Sequence, residues 1–135
     1  MAQISTILGI DYGQSKIGLA IADEETKMAF AFDTLKNDKD FRSNLKEIVA
    51  CENVKTIVLG MTKHDKDQQS VQEKLDFAKM LEKETGIRIE FQEEMFTTKM
   101  AQENIKMRGG TNIANLDDQE AARIILQSWL DNQIL

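Results

Sequence analysis

The chain has 135 residues, of which 41% are hydrophobic and 30% are charged, a composition typical of one soluble globular domain. No apolar run approaches the ~20 residues needed to cross a bilayer, and no signal or transit segment opens the chain, so we expect no membrane association. The net charge of −6 argues against a surface that attracts polyanions by bulk electrostatics, and the lone Cys51 excludes an intrachain disulfide and favours the cytoplasm. We expect residues 1–135 to form a single domain.

The chain is organised around a predicted β-hairpin over residues 6–22. The run from Ile7 to Ile10 is apolar almost throughout, as in a strand that is covered on both faces. After a turn that contains Gly13, apolar residues alternate with small ones through Ile17 and Ile21, as in a partner strand. The first strand ends in Asp11, a charge that must be solvated, hydrogen-bonded or held by cations.

Asp11 has two interpretations. It is either a turn aspartate that bonds to backbone amides, or the functional residue of the pattern Asp-x-Gly-x-x-x-x-Gly, which covers residues 11–18. This pattern is typical of ribonuclease-H-like polynucleotidyl transferases, where the Asp binds metal, and of actin-like sugar kinases, where the turn cradles phosphate. Actin-like kinases need two such domains to close around a nucleotide, whereas this chain has the length of one.

The periodicity of the remaining chain predicts three further strands and four helices. A strand covers Met28 to Asp33, a helix covers Asp40 to Cys51, and a buried parallel strand covers Thr56 to Met61. A capping box at Ser70 to Glu73 predicts the start of a second helix that runs to Thr85, with Gly86 as its stop. The last segments are an edge strand at Ile87 to Phe91, a helix near Lys99 to Met107, a mobile loop at Arg108 to Asn112, and a final helix whose inner face is Ala121, Ala122, Ile125 and Trp129.

This order of elements predicts an α/β fold. Right-handed crossovers add two parallel strands to the antiparallel meander, which gives a single mixed five-stranded sheet in the order 3-2-1-4-5, flanked by helices. Asp118 is predicted one turn ahead of Ala122 and on the same face of the last helix. Acids in the first turn of a helix usually complement its dipole, and this alternative explains Asp117 and Asp118 without catalysis.

Three ordered segments resemble the YqgF family, Holliday-junction-resolvase-like proteins regarded as nucleases of pre-16S ribosomal RNA. Residues 9–20, Gly-Ile-Asp-Tyr-Gly-Gln-Ser-Lys-Ile-Gly-Leu-Ala, are similar to the family's first motif. Residues 93–98, Glu-Glu-Met-Phe-Thr-Thr, resemble its Asp-Glu-Arg-Leu-Thr-Thr motif, and residues 118–130 resemble its closing Asp-x-x-Ala-Ala helix. The resemblance covers most of the chain and implies a ribonuclease-H-like fold.

The resemblance also implies a reaction and its residues. Asp11, Glu94 and Asp118 fall on the family's catalytic carboxylates, and as hard oxygen donors they would bind Mg²⁺ or Mn²⁺ for phosphodiester hydrolysis. Candidates for contact with the nucleic acid and its phosphates are Lys16, Thr97, Thr98, Lys99 and Arg108. The implied partner is RNA, most directly pre-rRNA, or branched DNA, and a homodimer stays an open alternative.

Departures from the family pattern fall around this predicted site. Met95 stands where the family has Arg, Glu93 replaces Asp, and Met61-Thr62 replaces Leu-Pro. Without the Arg the chain lacks a cation that could orient Glu94 or bind a phosphate. Two alternatives to the pre-rRNA nuclease therefore stay open: a nucleic-acid-binding module of the same fold that does not cleave, and a Holliday junction resolvase.

Overall fold

The fold is built on one mixed five-stranded sheet. The computed structural model describes residues 4–61, 68–93 and 113–133, without the side chains of 68 and 113–117. Within these residues no helix is both long enough and apolar enough to span a membrane. The elements are β1 (Thr6–Asp11), β2 (Lys16–Asp23), β3 (Phe30–Lys36), α1 (Phe41–Cys51), β4 (Val54–Met61), α2 (Gln68–Thr85), β5 (Arg88–Glu93) and α3 (Ile113–Asn132).

The strand order is β3-β2-β1-β4-β5, as predicted. β2 pairs antiparallel with both β1 and β3, whereas β4 pairs parallel with both β1 and β5. The carboxyl ends of β1, β4 and β5 therefore lie at the same end of the sheet, the end at which functional residues gather in sheets of this kind. Asp11 is the last residue of β1 and lies at that end.

The two faces of the sheet carry different cores. One face packs large side chains against α1 and α2, and its fully buried members include Leu8, Ile10, Leu59 and Leu81. The other face packs against α3 through smaller residues, among them Ala20 and Ala22 on the sheet and Ala122 and Leu126 on the helix. Because residues along a strand alternate between faces, β1 contributes Leu8 and Ile10 to the first core and Ile7 to the second.

The helices differ from the predictions mainly at their first residues. α1 begins at Phe41, within one residue of the expected start. α2 begins at Gln68, so the predicted capping box is wrong: Ser70 lies inside the helix rather than at its N-cap. The C-terminal stop is confirmed, since Gly86 has φ +69° and its amide donates to the Glu82 carbonyl at 2.8 Å, the left-handed closure that glycine favours.

The edge strands also follow the sequence pattern in part. β5 lies at a sheet edge, as expected. β3 begins at Phe30 rather than Met28, because Lys27 adopts φ 57° and the amide of Ala29 donates to Gln127 of α3 at 2.9 Å instead of to a strand. The helix predicted near Lys99 to Met107 and the loop at Arg108 to Asn112 lie outside the described residues.

Substituting Gly9 tests how closely α3 approaches the sheet. A methyl group on Gly9 would lie 2.7 Å from the Leu126 Cβ and 3.1 Å from the Ala122 carbonyl oxygen. We expect Gly9→Ala to lower the free energy of unfolding by about 1–3 kcal/mol, the range for overpacking a tight core, as measured by urea denaturation. The loss in Gly9→Ala/Leu126→Gly should be smaller than the sum of the two single losses, since glycine at position 126 removes the Cβ with which the new methyl group collides. Strict additivity would contradict this packing.

Candidate active site

Asp11 is placed on the α3 face of the sheet by the alternation of β1. Ile7 and Gly9, four and two residues before Asp11, meet α3, whereas Leu8 and Ile10 face the opposite core. A strand residue two positions further along returns to the same face. Asp11, half-buried at the end of β1, therefore lies on the face that α3 covers.

Asp118 meets the sheet beside Asp11. Asp11 is in register with Gly18 of β2, and directly paired residues in an antiparallel ladder present their side chains to the same face. A methyl group on Gly18 would overlap the Asp118 carbonyl group and lie 2.9 Å from the Asp118 Cβ. Asp11 and Asp118, which are 107 positions apart in the chain, thus lie at one end of the sheet and on one face.

The helix that carries Asp118 begins earlier than the sequence suggested. α3 starts at Ile113, so Asp117 and Asp118 lie beyond its first turn. The influence of a helix dipole on a charge falls off within the first turn, so the interpretation of these two acids as dipole partners is wrong. The predicted inner face is confirmed at Ala122 and Ile125, while Ala121 and Trp129 are half-buried.

The turn after Asp11 is held by other residues. The Asn37 side-chain amide donates to the Gly13 carbonyl at 2.8 Å, and the Asn37 backbone amide donates to the Ser15 carbonyl at 2.9 Å. On the face opposite Asp11, the Tyr12 ring lies against Phe77 of α2 with centroids 4.5 Å apart. These contacts hold the turn from Asn37, which follows β3, and from α2.

The other predicted site residues are placed as follows. Lys16 is the exposed first residue of β2, two residues before Gly18. Glu94, Thr97, Thr98, Lys99 and Arg108 lie outside the described residues, as does Met95. β5 ends at Glu93, two strands from β1, or roughly 10 Å at ~4.8 Å per strand. Within the described ranges no three acidic, His or Cys side chains form a group that could hold a metal ion.

One buried charge in α3 was missed from the sequence. The Glu120 side chain is only 2% exposed, and its Oε1 accepts hydrogen bonds from Arg123 Nε at 2.8 Å and Nη2 at 2.6 Å. At 100° per residue, Glu120 points roughly 160° away from Ala122, which faces the sheet. A buried carboxylate is tolerated when it is paired in this way. The i, i+3 spacing of Glu120 and Arg123 was the available signal.

Comparison with known proteins decides the family. A model of the RuvX family, described as Holliday junction resolvase, matches residues 5–132. The chain belongs to the RuvX family. The resemblance to YqgF proteins seen in the three motifs is thereby confirmed. A RuvX relative from Dictyoglomus thermophilum, named "Putative pre-16S rRNA nuclease", is 34% identical over 136 residues, which cover 96% of this chain and 97% of the relative.

Two solved structures share the fold of this chain. The Fowlpox virus resolvase in complex with Holliday junction DNA superimposes with a TM-score of 0.63 at 14% identity, over 96% of this chain and 99% of that one. Thermus thermophilus RuvC with its Holliday junction substrate gives 0.61 at 15% identity, over 96% of each chain. At such low identity these matches establish the fold alone. The ribonuclease-H-like architecture expected of a RuvX protein is confirmed.

Gly18 is the residue that lets Asp118 approach Asp11 in this RuvX chain. We expect Gly18→Ala to push the beginning of α3 away from β2, because the added methyl group collides with the Asp118 backbone. Hydrogen exchange should speed up about 10-fold or more at residues 118–121, since 1.4 kcal/mol of lost protection corresponds to a factor of ten.

The matched control is Gly9→Ala, which overpacks the same helix one to two turns further along, at Ala122 and Leu126. There the faster exchange should centre on residues 122–130 instead. If the two variants loosen the same part of α3, the two contacts do not position the helix separately.

Proposed function

We propose that the protein is a metal-dependent nuclease that hydrolyses phosphodiester bonds in structured RNA, with pre-16S rRNA as its substrate. One observation carries the proposal: the Asp118 backbone packs on Gly18, the residue in register with Asp11. Two motifs from opposite ends of the chain therefore place their carboxylates on one face of the sheet. Membership of the RuvX family and the name of the Dictyoglomus relative support the substrate.

Asp11 and Asp118, together with Glu94, would hold Mg²⁺ or Mn²⁺. The two described carboxylates fit such an ion, since both are hard oxygen donors, both are only half-buried, and both lie at the carboxyl end of β1. In the sequence Glu94 directly follows Glu93, the last residue of β5. When bound, divalent ions supply Lewis-acid stabilisation of the phosphoryl oxygens and activate water for in-line attack.

The role of the surrounding protein is to hold the two carboxylates in position. Asp11 is fixed by the pairing of β1 with β2 and β4, and Asp118 by the close contact of α3 with Gly18, so neither carboxylate needs to reorganise before the reaction. We assign phosphate contact to Lys16 and to Thr97, Thr98, Lys99 and Arg108. The chain would act as one domain in the cytoplasm, alone or as a homodimer.

Met95, which stands where the family has Arg, favours a second candidate, a nucleic-acid-binding module that does not cleave. A guanidinium binds phosphate through two parallel hydrogen bonds, and a thioether cannot replace these. If binding persists without cleavage, the carboxylates would serve only to hold an ion that contacts the nucleic acid. A junction-cleaving enzyme is the third candidate, and a four-way DNA junction tests it.

A melting series tests the metal site. Saturating Mn²⁺ at ~100 Kd should stabilise the wild type by about 2.7 kcal/mol, because the ion binds only the folded state. Asp11→Asn should lose most of this gain while its stability without metal equals or exceeds that of the wild type, since the substitution removes one of several neighbouring negative charges at constant volume. Asp33→Asn, a strand aspartate on β3, is the control and should keep the full gain. Equal shifts in all three proteins would contradict a metal site at Asp11.

A cleavage assay tests the reaction. The wild type with Mg²⁺ or Mn²⁺ should cleave a pre-16S rRNA fragment faster than a four-way DNA junction. Asp118→Asn should reduce the rate about 100-fold or more, the equivalent of ~2.7 kcal/mol of transition-state stabilisation. Asp131→Asn near the end of the same helix, where Asp131 accepts a hydrogen bond from Gln127, should retain full activity. Undiminished cleavage by Asp118→Asn would remove Asp118 from the mechanism.

A further inference from the structure

A cavity of about 420 Å³ opens beside the turn that follows Asp11. It lies on the face of the sheet that α1 and α2 cover, opposite to α3. Its volume is within the range of ~300–1,000 Å³ that is typical of small-molecule sites. The residues that matter for its chemistry are Tyr12, Asn37, Lys39, Arg42, Phe77 and Met80.

The floor of this cavity is aromatic and rigid. The Tyr12 ring is half-buried and rests on Phe77, with centroids 4.5 Å apart and planes tilted by 48°. Phe77 is in turn 5.6 Å from Phe41, and both phenylalanines are buried. Tyr12 and the half-buried Met80 therefore present an apolar surface that is held in place before any ligand arrives.

The rim of the cavity is cationic. The Arg42 side chain is 62% exposed and meets Glu84 only at 3.5 Å, whereas Lys46 Nζ meets the other oxygen of Glu84 at 2.9 Å. The hydrogen bond from Lys46 is also the main reason why the pKa of Glu84 is lowered. Glu84 is thus chiefly the partner of Lys46, and the guanidinium of Arg42 retains most of its five N–H donors for an anion. Lys39 adds a second, exposed cation.

The rim also carries one acid among its lining residues, Asp38, whose Oδ1 accepts the backbone amide of Asp40 at 3.0 Å. The cavity therefore combines an apolar floor with a rim on which two cations outweigh one acid. This combination suits a ligand that has one flat apolar face and one negative charge.

The cavity is adjacent to the proposed active site. Tyr12 follows Asp11 directly, and consecutive Cα atoms are ~3.8 Å apart. The Asn37 side-chain amide, which belongs to the cavity wall, also donates to Gly13 in the turn after Asp11. Because the strand alternates, Asp11 and Tyr12 lie on opposite faces of the same strand end.

We propose that this cavity binds one unpaired nucleotide of the RNA substrate, with its base against Tyr12 and Met80 and a phosphate against Arg42 and Lys39. The inference rests on the proposed function and narrows its substrate class to RNA that is single-stranded next to the cleaved bond. A base in a duplex is stacked and cannot enter, whereas unpaired bases are recognised by aromatic side chains and their phosphates by cations.

Binding without metal tests this inference separately from cleavage. A labelled short single-stranded RNA is titrated with the full chain in EDTA, and affinity is followed by fluorescence anisotropy as a function of salt. Arg42→Ala should weaken binding about 5- to 10-fold and reduce the slope of log K against log salt by about 0.7, the value for one phosphate contact on a single strand. Lys55→Ala is the matched control, since it removes an equal charge from an exposed residue near the start of β4 that does not line the cavity. It should change affinity less than twofold and leave the slope unchanged.

Two further arms test the base and the strand. Tyr12→Leu keeps an apolar floor but removes the ring, and should weaken single-strand binding about 5-fold or more. Neither Arg42→Ala nor Tyr12→Leu should change the affinity for a blunt duplex of the same sequence. Equal losses from Arg42→Ala and Lys55→Ala, or equal losses on single strand and duplex, would overturn the inference.

The outcomes also separate the two proposals. If no metal supports cleavage but Arg42→Ala still weakens single-strand binding more than Lys55→Ala does, the nuclease proposal fails and the nucleotide site stands. If cleavage depends on Asp118 but Arg42→Ala binds and cleaves like the wild type, the nucleotide site fails and the nuclease proposal stands.

Discussion

The close approach of α3 to the sheet is the constraint on which the arrangement of this protein depends. Two glycines make it feasible, because Gly9 faces Leu126 and the Ala122 carbonyl, and Gly18 faces the Asp118 backbone. A side chain at either position would raise the helix from the strands by more than packed side chains can absorb. The contact at Gly18 then positions Asp118 on the sheet. Because Gly18 is paired with Asp11, Asp118 lies beside Asp11. The contact that packs α3 on the sheet is therefore also the contact on which the proposed chemistry depends.

Much of the sheet could be predicted from the sequence because strand patterns are local. Two alternating strands separated by a glycine turn specify a hairpin, and the unbroken apolar run that became β4 specifies a strand buried on both faces. From these, the handedness of crossovers leaves few arrangements, and the order β3-β2-β1-β4-β5 follows. Asp11 could be singled out for the same reason, since a carboxylate at the end of an apolar strand contradicts its local pattern.

The beginnings of the helices could not be predicted as well, and the error affected the interpretation of a site residue. A capping box indicates which hydrogen bonds a short segment is able to make, but tertiary packing can extend a helix through it, as at Ser70 in α2. In α3 the same kind of error placed Asp118 in a first turn, where the helix dipole would explain it. With the helix beginning at Ile113, that explanation is lost. The burial of Glu120 was also not predicted, because its i, i+3 spacing to Arg123 indicates an ion pair but not whether that pair is buried.

An acidic protein that binds RNA must rely on short-range contacts rather than on its long-range field. At a net charge of −6 the chain does not attract a polyanion by its overall field, and at physiological salt charges that are more than a Debye length of ~8 Å apart are largely screened from one another. The cations that matter must then stand close to where phosphates lie and must not be neutralised by acids nearby. Arg42 meets this condition because Glu84 pairs more closely with Lys46 than with Arg42. The carboxylates beside Gly18 are negative themselves. In the proposed mechanism they would bind a divalent ion, and that ion would contact the phosphate. Binding through such short-range contacts makes the affinity depend on how well one particular conformation of the RNA fits the protein. An enzyme that selects one processing site in a long RNA requires this dependence.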